Sequence, residues 1–280
     1  MSTQENSEQN INSQEIIHEH TVYAEPIFKV GDFNVTNSLI NSWIIVGVIV
    51  IFSLLVKLKL NAVPRGVQNL FEFIIESLLN VFDSVTGERS KSEKLFPFIF
   101  SFFLFILLTN WSGLLPGVGS IGMVVSEHGQ NLFVPFMRGG MADVNATFAL
   151  AIIGVVASHI FGVLSIGVWN HFNKFINIKA IISIPKKMKE DKAVLIVNPI
   201  KVIVSLVEIV GEFAKVISLT FRLFGNIFAG EVLLATMAGI MAFGLPIPFM
   251  FMEVLVGAMQ AFIFSILVLS YLSMASMEDH

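Results

Sequence analysis

Five polar side chains lie at helical spacing inside an apolar segment near the C-terminal end of the chain. On a helix that advances about 100° per residue they fall on one face, within about 80° of one another. They are Glu208, Glu212, Lys215, Arg222 and Asn226. Ionisable groups in a membrane helix face protein or a water-filled cavity, and they commonly mark ion or proton paths. The spacing therefore predicts a functional polar track along this helix.

Arg222 is the member of this track that is hardest to explain as a structural residue. No carboxylate lies within four residues of it on either side. Because an unpaired guanidinium in lipid is costly, its partner is expected to come from elsewhere. Glu212 and Lys215 have an alternative role, since residues at i and i+3 on a helix can form a stabilising pair.

More polar residues follow in the last 50 residues of the chain. Glu231 falls on the side of its helix opposite Arg222. On the final helix Glu253, Gly257 and Gln260 lie within about 40° of one another. Two polar residues two turns apart, with a glycine that permits close helix approach, favour the lining of a path over a lipid-facing surface. For Gln260 alone, an interhelical hydrogen bond is the alternative.

The composition is that of an integral membrane protein. Of 280 residues, 55% are hydrophobic and only 14% are charged, and 27 are phenylalanine. The mean hydropathy is +0.79, well above that of a soluble domain. The absence of cysteine excludes disulfides, thiol nucleophiles and cysteine-based metal sites. The sequence also contains no glycine-rich phosphate-binding loop.

The chain divides into a polar N-terminal tail, residues 1–37, and a single membrane domain, residues 38–277. His18 and His20 in the tail have a spacing that can bind a metal, but such pairs are common in solvated tails, and no metal is predicted. The fold class is all-α, with about five membrane helices and one interfacial amphipathic helix. The membrane helices are predicted at 38–56, 95–115, 143–169, 194–230 and 232–275, with Asp143 as the N-cap of the third.

The interfacial helix is predicted at residues 64–86. It has apolar residues at helical spacing mixed with acidic ones, begins at Pro64 and ends near Gly87. A soluble connecting helix is the alternative.

Orientation follows from the placement of lysine and arginine in the short loops. Residues 57–94 contain six basic residues and residues 170–192 contain six lysines, whereas the tail before Ser38 has only Lys29 and the loop at 116–142 only Arg138. The positive-inside rule puts the basic loops in the cytoplasm. The N-terminus is therefore expected outside and the C-terminus inside.

The hairpin residues resemble a known family. The stretch SLTFRLFGNIFAGE at 218–231, followed by EVLVGAMQAFIFSILVLSYLSMASMEDH at 253–280, closely resembles the C-terminal hairpin of subunit a of bacterial F-type ATP synthases. Upstream, the stretches VPRGVQNLFEF, TNWSGLLP, ADVNATFALA and VNPIKVIVSLVEIVGEFAKVISL follow the order of that family. The resemblance covers roughly residues 38–277. It implies that the last two helices form a long, strongly tilted hairpin against a ring of c subunits.

The resemblance also implies a role for each matching residue. Arg222 corresponds to the arginine that faces the ring and meets each rotor carboxylate as it passes. The residues that line or support the outer half-channel correspond to Asn226, Glu231, Glu253 and Gln260. The inner exit corresponds to Glu208 and, less directly, Glu212, with Lys215 in support. Glu253 stands where some relatives carry histidine, so a pair of carboxylates replaces a Glu and His pair.

The implied partners are the ring of c subunits, the b subunits of the peripheral stalk, the lipid bilayer and, indirectly, the F1 head. The implied location is the bacterial inner membrane. The chain itself is expected to catalyse no reaction and to bind no cofactor, metal or nucleic acid.

The main alternative function is a stand-alone secondary transporter or ion channel that uses Arg222 and the glutamates to bind a small ion. Such a protein is expected to contain an internal repeat with paired broken helices, and no repeat is visible in the sequence. An inert membrane scaffold would leave the buried polar track unexplained.

Overall fold

A computed structural model of the chain describes residues 16–17, 21–58, 66–115, 117–127, 130–169, 171, 194–242 and 244–276. Most of these residues are helical. The α-helices in this part of the chain are α1 (Asn37–Leu58), α2 (Val67–Thr86), α3 (Arg89–Ser112), α4 (Val144–Ile166), α5 (Val194–Ile240) and α6 (Pro246–Ala275). The pair His18 and His20, Pro64 and the lysine-rich loop at 172–192 lie outside the described residues.

Five of the helices in the described residues are long and apolar enough to cross a membrane. They are α1, α3, α4, α6 and the part of α5 from Val207 to Ile240. This confirms the predicted all-α membrane fold. Helix α2, which was expected to lie in the interface, is the helix that does not qualify, and its position at the membrane surface stays a prediction.

The corner between α2 and α3 shows why the two helices separate there. Gly87 follows α2 with φ 73°, a left-handed conformation that glycine adopts without strain, and its N–H bonds to the Asp83 carbonyl oxygen at 2.9 Å. Arg89 at the start of α3 donates to the Glu76 carboxylate at 2.8 Å and to Asp83 at 3.0 Å. The Ser92 hydroxyl and then the Arg89 guanidinium hold the pKa of Asp83 below its ordinary value.

Several helix ends differ from the sequence prediction. Helix α5 continues to Ile240 and α6 begins at Pro246, so the turn lies near Gly244 (φ 95°) and Glu231 is inside α5. The predicted spans 194–230 and 232–275 met at residue 231, whereas the glycine and the prolines at 244–248, a sequence pattern that predicts a break, are where the turn lies. Helix α4 ends at Ile166 because Gly167 (φ 86°) closes it, three residues before the predicted end. Helix α3 begins at Arg89, not at residue 95.

Short strands form in the tail and in the glycine-rich loop. Strands β2 (Pro26–Val30) and β3 (Phe33–Thr36) make an antiparallel hairpin immediately before α1. In the loop, β4 (Gly122–Glu127) and β5 (Gln130–Pro135) make a second antiparallel hairpin, and β1 (Ile16–Ile17) pairs in parallel with β5. Residues 16–17 of the predicted polar tail therefore pair with the loop before α4, and residues 26–36 form a hairpin of their own.

The chain forms two compact units. The first consists of residues 1–58, 104–146 and 223–260, and the second of residues 59–103, 147–222 and 261–280. Helices α3, α4, α5 and α6 each contribute residues to both units. Fully buried apolar side chains form the core of the first unit around Ile106 and Met141, and that of the second around Phe82, Ile99 and Leu269.

Candidate functional site

The first unit contains an ion pair between the loop before α4 and helix α5. The Arg138 side chain is only 4% exposed, and that of Glu231 is 29% exposed. Arg138 Nε donates to Glu231 Oε1 at 3.1 Å, and Nη2 donates to Oε2 at 3.1 Å. This two-point geometry is the strongest arrangement for a guanidinium and a carboxylate. Arg138 thus binds both carboxylate oxygens of Glu231.

The remaining donors of Arg138 bind the N-terminal tail. Nη2 donates to the Thr21 carbonyl oxygen at 2.9 Å, and Nη1 donates to Thr21 Oγ1 at 3.3 Å and to the Tyr23 carbonyl oxygen at 3.4 Å. The Asn41 side-chain amide on α1 donates to the Arg138 carbonyl oxygen at 2.9 Å. Tail, α1 and α5 are therefore all attached to this one residue.

Glu253 on α6 is a buried carboxyl in the same unit. It is 5% exposed, and its Oε1 has no hydrogen-bond partner among the residues that the structure describes. The carboxyl lies directly against the α5 backbone at Gly230, where any side chain larger than hydrogen would overlap it. Gly230 directly precedes Glu231, so the Glu253 carboxyl packs against the residue next to Glu231 on α5.

A cleft of about 660 Å³ brings these groups together. Its charged lining consists of Arg138, Glu231 and Glu253, and Asn110 and Ser120 add polar atoms. The rest of the lining is largely apolar, with Leu114, Leu115, Ile227, Leu234, Pro246 and Met250 among its residues. A volume of this size accommodates several water molecules beside the carboxylates.

Helices α3 and α6 approach closely beside the cleft. The Asn110 amide donates to the Gly257 carbonyl oxygen and the Trp111 indole N–H to the Val254 carbonyl oxygen, both at 3.0 Å. A Cβ at Gly257 would lie 3.1 Å from the Asn110 Cβ, so the close approach predicted for this glycine is confirmed. Gln260, one turn further along α6, is 6% exposed.

The second unit contains a separate polar cluster. Lys215 Nζ donates to Glu212 Oε1 at 2.6 Å, which is the local pair that the i and i+3 spacing allowed. His159 Nε2 on α4 lies 3.4 Å from the other oxygen of Glu212, and its Nδ1 lies 3.2 Å from His171 Nε2. Lys215 Nζ also lies 5.0 Å above the Tyr271 ring. Glu208, one turn earlier on α5, is half-buried.

Arg222 has a different environment from Arg138 and Lys215. It is exposed, and it makes no hydrogen bond or ion pair with any residue that the structure describes. Yet it lies within Val207–Ile240, the part of α5 that is apolar enough to span a membrane. Asn226, one turn later, is also exposed.

The order of these features matches a known family. The ATP synthase A chain family matches residues 39–273. The chain belongs to this family. The resemblance read from the hairpin sequence is thereby confirmed, and five apolar helices together with this family support a multi-pass membrane protein.

Curated relatives of the ATP synthase A chain family agree with this assignment. The chain is 33% identical over 239 residues to ATP synthase subunit a of Geotalea daltonii, covering 85% of this chain and 87% of the relative. It is 31% identical over 262 residues to ATP synthase subunit a of Syntrophobacter fumaroxidans, covering 93% of each chain. It is 32% identical over 239 residues to ATP synthase subunit a of Geotalea uraniireducens, covering 85% of this chain and 87% of the relative.

Sequence reasoning about this member of the ATP synthase A chain family missed Arg138. In the sequence, Arg138 is the single basic residue of the loop at 116–142 and bears only on the orientation of the chain. That isolation was itself the available signal, because a lone cation beside membrane helices requires a carboxylate partner. The resemblance assigns both Glu231 and Glu253 to the outer half-channel. The structure places both residues at the same cleft but binds Glu231 to Arg138.

Proposed function

We propose that this chain is the stationary, ion-conducting subunit of a rotary ATP synthase, with Arg222 facing a moving ring of c subunits. The observation that carries the proposal is the environment of Arg222, which is an exposed guanidinium without an ion-pair partner in the described residues, inside a membrane-spanning segment. Such a charge is costly in lipid unless another chain supplies its counter-charge. A rotor carboxylate meets that requirement.

The chemistry of arginine suits this position. A fixed cation stabilises the ionised form of a passing carboxylate and so favours release of its proton. Because guanidinium does not lose its own proton in proteins, Arg222 also prevents protons from passing directly between the two sides of the stator. A lysine would be a poorer barrier, since burial depresses its pKa.

Two half-channels lead to and from the ring in this proposal. The outer one runs along the cleft that contains Glu231 and Glu253, supported by Asn226 and Gln260. The inner one uses Glu208 and Glu212, with Lys215 as the partner of Glu212. A proton enters from outside, neutralises a rotor carboxylate, and leaves to the cytoplasm after nearly a full rotation. The surroundings of the rotor carboxylate decide whether the ion is a proton or sodium.

The chain in this role carries out no chemical step other than proton transfer and needs no cofactor. Its partners are the ring of c subunits, the b subunits of the peripheral stalk and, through them, the F1 head. We place it in a bacterial inner membrane with its N-terminus outside and its C-terminus in the cytoplasm, on the distribution of lysine and arginine.

The decisive experiment replaces Arg222 in the assembled complex. Arg222→Ala is expected to abolish ATP-driven proton pumping and ATP synthesis in membrane vesicles while the complex still assembles. The matched control is Lys57→Ala, which removes an exposed cation at the end of α1 and is expected to leave pumping unchanged. Normal pumping by Arg222→Ala would refute the proposal.

A second experiment separates the motor from a stand-alone transporter. The purified chain alone, reconstituted in liposomes, is expected to carry no ion current. Proton conduction is expected only when the ring of c subunits is reconstituted with it. Ion transport by the isolated chain would favour the transporter.

A further inference from the structure

We propose that Arg138 is a positioning residue that holds Glu231 as its fixed counter-charge, so that Glu253 is the carboxyl that takes up and releases the proton in the outer cleft. The inference rests on the proposed function, since it assumes that a proton crosses this cleft. It assigns different roles to two carboxylates that line the same space.

Arg138 occupies both carboxylate oxygens of Glu231 and is itself held by the N-terminal tail. Nε and Nη2 bind both oxygens of Glu231, while Nη1 and the second N–H of Nη2 bind the tail. Guanidinium has five donors and cannot lose its charge in proteins. Protonating Glu231 would leave a cation that is 4% exposed without its counter-charge, which is one of the costlier changes in a protein interior.

The tail holds the guanidinium in this orientation. Thr21 Oγ1 donates to Glu25 Oε1 at 2.9 Å, and the Asn37 side-chain amide at the start of α1 donates to Glu25 Oε2 at 2.7 Å. The segment whose carbonyl groups bind Arg138 is therefore itself attached to a membrane helix. Arg138 cannot follow a moving partner without breaking these bonds, which suits a fixed counter-charge.

Glu253 has the opposite environment. The charged side chains that line the cleft with it are Arg138 and Glu231, and these two bind each other. Its Oε1 has no hydrogen-bond partner among the described residues, although the carboxyl is buried at the cleft. No fixed cation in this part of the chain thus holds Glu253 in one protonation state. A water molecule in the cleft can exchange a proton with it.

The test measures passive proton conduction through vesicles that carry the membrane sector without the F1 head. Glu231→Gln is expected to reduce conduction roughly a hundredfold, because Arg138 is left buried and unpaired. The double variant Arg138→Gln with Glu231→Gln removes both charges and is expected to recover conduction to within about threefold of the native complex. Glu253→Gln is expected to reduce conduction roughly a hundredfold, both in the native background and in the double variant.

Two results would overturn the inference. If Glu231 itself carries the proton, the double variant stays as inactive as Glu231→Gln. If Glu253 is only structural, Glu253→Gln conducts normally. Arg222→Ala in the same vesicles tests the proposed function separately, because its outcome does not depend on which carboxylate of the cleft is protonated.

The pH profile of conduction adds a readout that a purely structural pair would not change. In Arg138→Gln, Glu231 loses its fixed counter-charge, so the pH profile of conduction is expected to differ from the native profile. Arg138→Lys keeps a cation beside Glu231 and is expected to retain the native profile with higher conduction than Arg138→Gln. Should the double variant fail to assemble, identical profiles and conduction for Arg138→Lys and Arg138→Gln would refute the proposal.

Discussion

Arg138 and Glu231 form a two-point ion pair across 93 residues of sequence, with Nε to Oε1 and Nη2 to Oε2 both at 3.1 Å. The pair joins the loop before α4 to the C-terminal part of α5. Because Arg138 also binds Thr21 and Tyr23, it attaches the N-terminal tail to the same point. One residue outside the membrane helices therefore fixes one of the two carboxylates of the cleft, Glu231, and the N-terminal tail.

The stability of the first unit is expected to depend on this pair. Arg138→Gln should lower the free energy of unfolding by roughly 3 kcal/mol, since it leaves a partly buried carboxylate without its counter-charge. The double variant with Glu231→Gln should lose less. Thermal unfolding of the detergent-solubilised complex measures both, with Lys29→Gln, an exposed cation in the tail, as the control. Equal losses for the single and double variants would contradict a coupled pair.

Gly230→Ala is expected to impair conduction more than stability. The added methyl group would occupy the position of the Glu253 carboxyl, which is the mobile end of a long side chain and moves at low cost. Stability should change by roughly 1 kcal/mol or less, because alanine also favours the helix. Proton conduction should fall roughly tenfold or more as Glu253 leaves its position.

The matched control for that substitution lies on the same helix. A Cβ at Gly239 meets nothing within 4 Å. Gly239→Ala should therefore raise the stability of α5 by roughly 0.5 kcal/mol and leave conduction unchanged. Equal proton conduction by Gly230→Ala and Gly239→Ala would show that the packing of Glu253 against Gly230 does not affect conduction.

The corner between α2 and α3 should make stability depend on acid pH. Because the pKa of Asp83 is lowered in the folded chain, the stabilisation from its ionised form is present above its ordinary value near 3.8 and is lost as the pH falls through the lower, folded value. The difference in melting temperature between the native chain and Asp83→Asn should be constant near neutral pH and shrink below about pH 4. Glu72→Gln, which removes an exposed acid from the same helix, is the control for net charge. A difference that grows on acidification would contradict this assignment.

The contact between Lys215 and Tyr271 should tolerate loss of the hydroxyl but not of the ring. Since the ammonium lies over the ring face at 5.0 Å, Tyr271→Phe should leave stability nearly unchanged. In the native background, Tyr271→Leu should lower the free energy of unfolding by roughly 0.5–1 kcal/mol more than the same substitution does in a Lys215→Gln background. A double-mutant cycle by thermal unfolding provides that number, and a coupling near zero would exclude the cation–π contribution.

Features that depend on local spacing were predictable from the sequence. The number of membrane helices follows from long apolar runs, and the end of α2 at Gly87 follows from the conformational freedom of glycine. Asp143 accepts a hydrogen bond from the Asn145 N–H at 3.0 Å, as expected of an N-cap. The pair of Glu212 and Lys215 needs only residues one turn apart. In each case the interacting atoms are within a few residues of one another.

Which helix ends differed also has a local cause. The turn of the hairpin lies at Gly244, whose positive φ suits glycine, and Pro246 begins α6. Helix α5 continues through Glu231, whose charge is paired with Arg138.

Partnerships between distant segments required the tertiary structure. Helical periodicity predicts the side of α5 on which Glu231 lies. It does not predict that Arg138, 93 residues away, pairs with Glu231, or that Thr21 and Tyr23 accept the other hydrogen bonds of that arginine. Likewise the contact of Glu253 with the backbone at Gly230 depends on how α5 and α6 pack. The sequence alone determined the class, the membrane helices and the family, because these depend on local composition and motif order. The folded structure decided which carboxylate has a counter-charge, because that depends on side chains brought together through space.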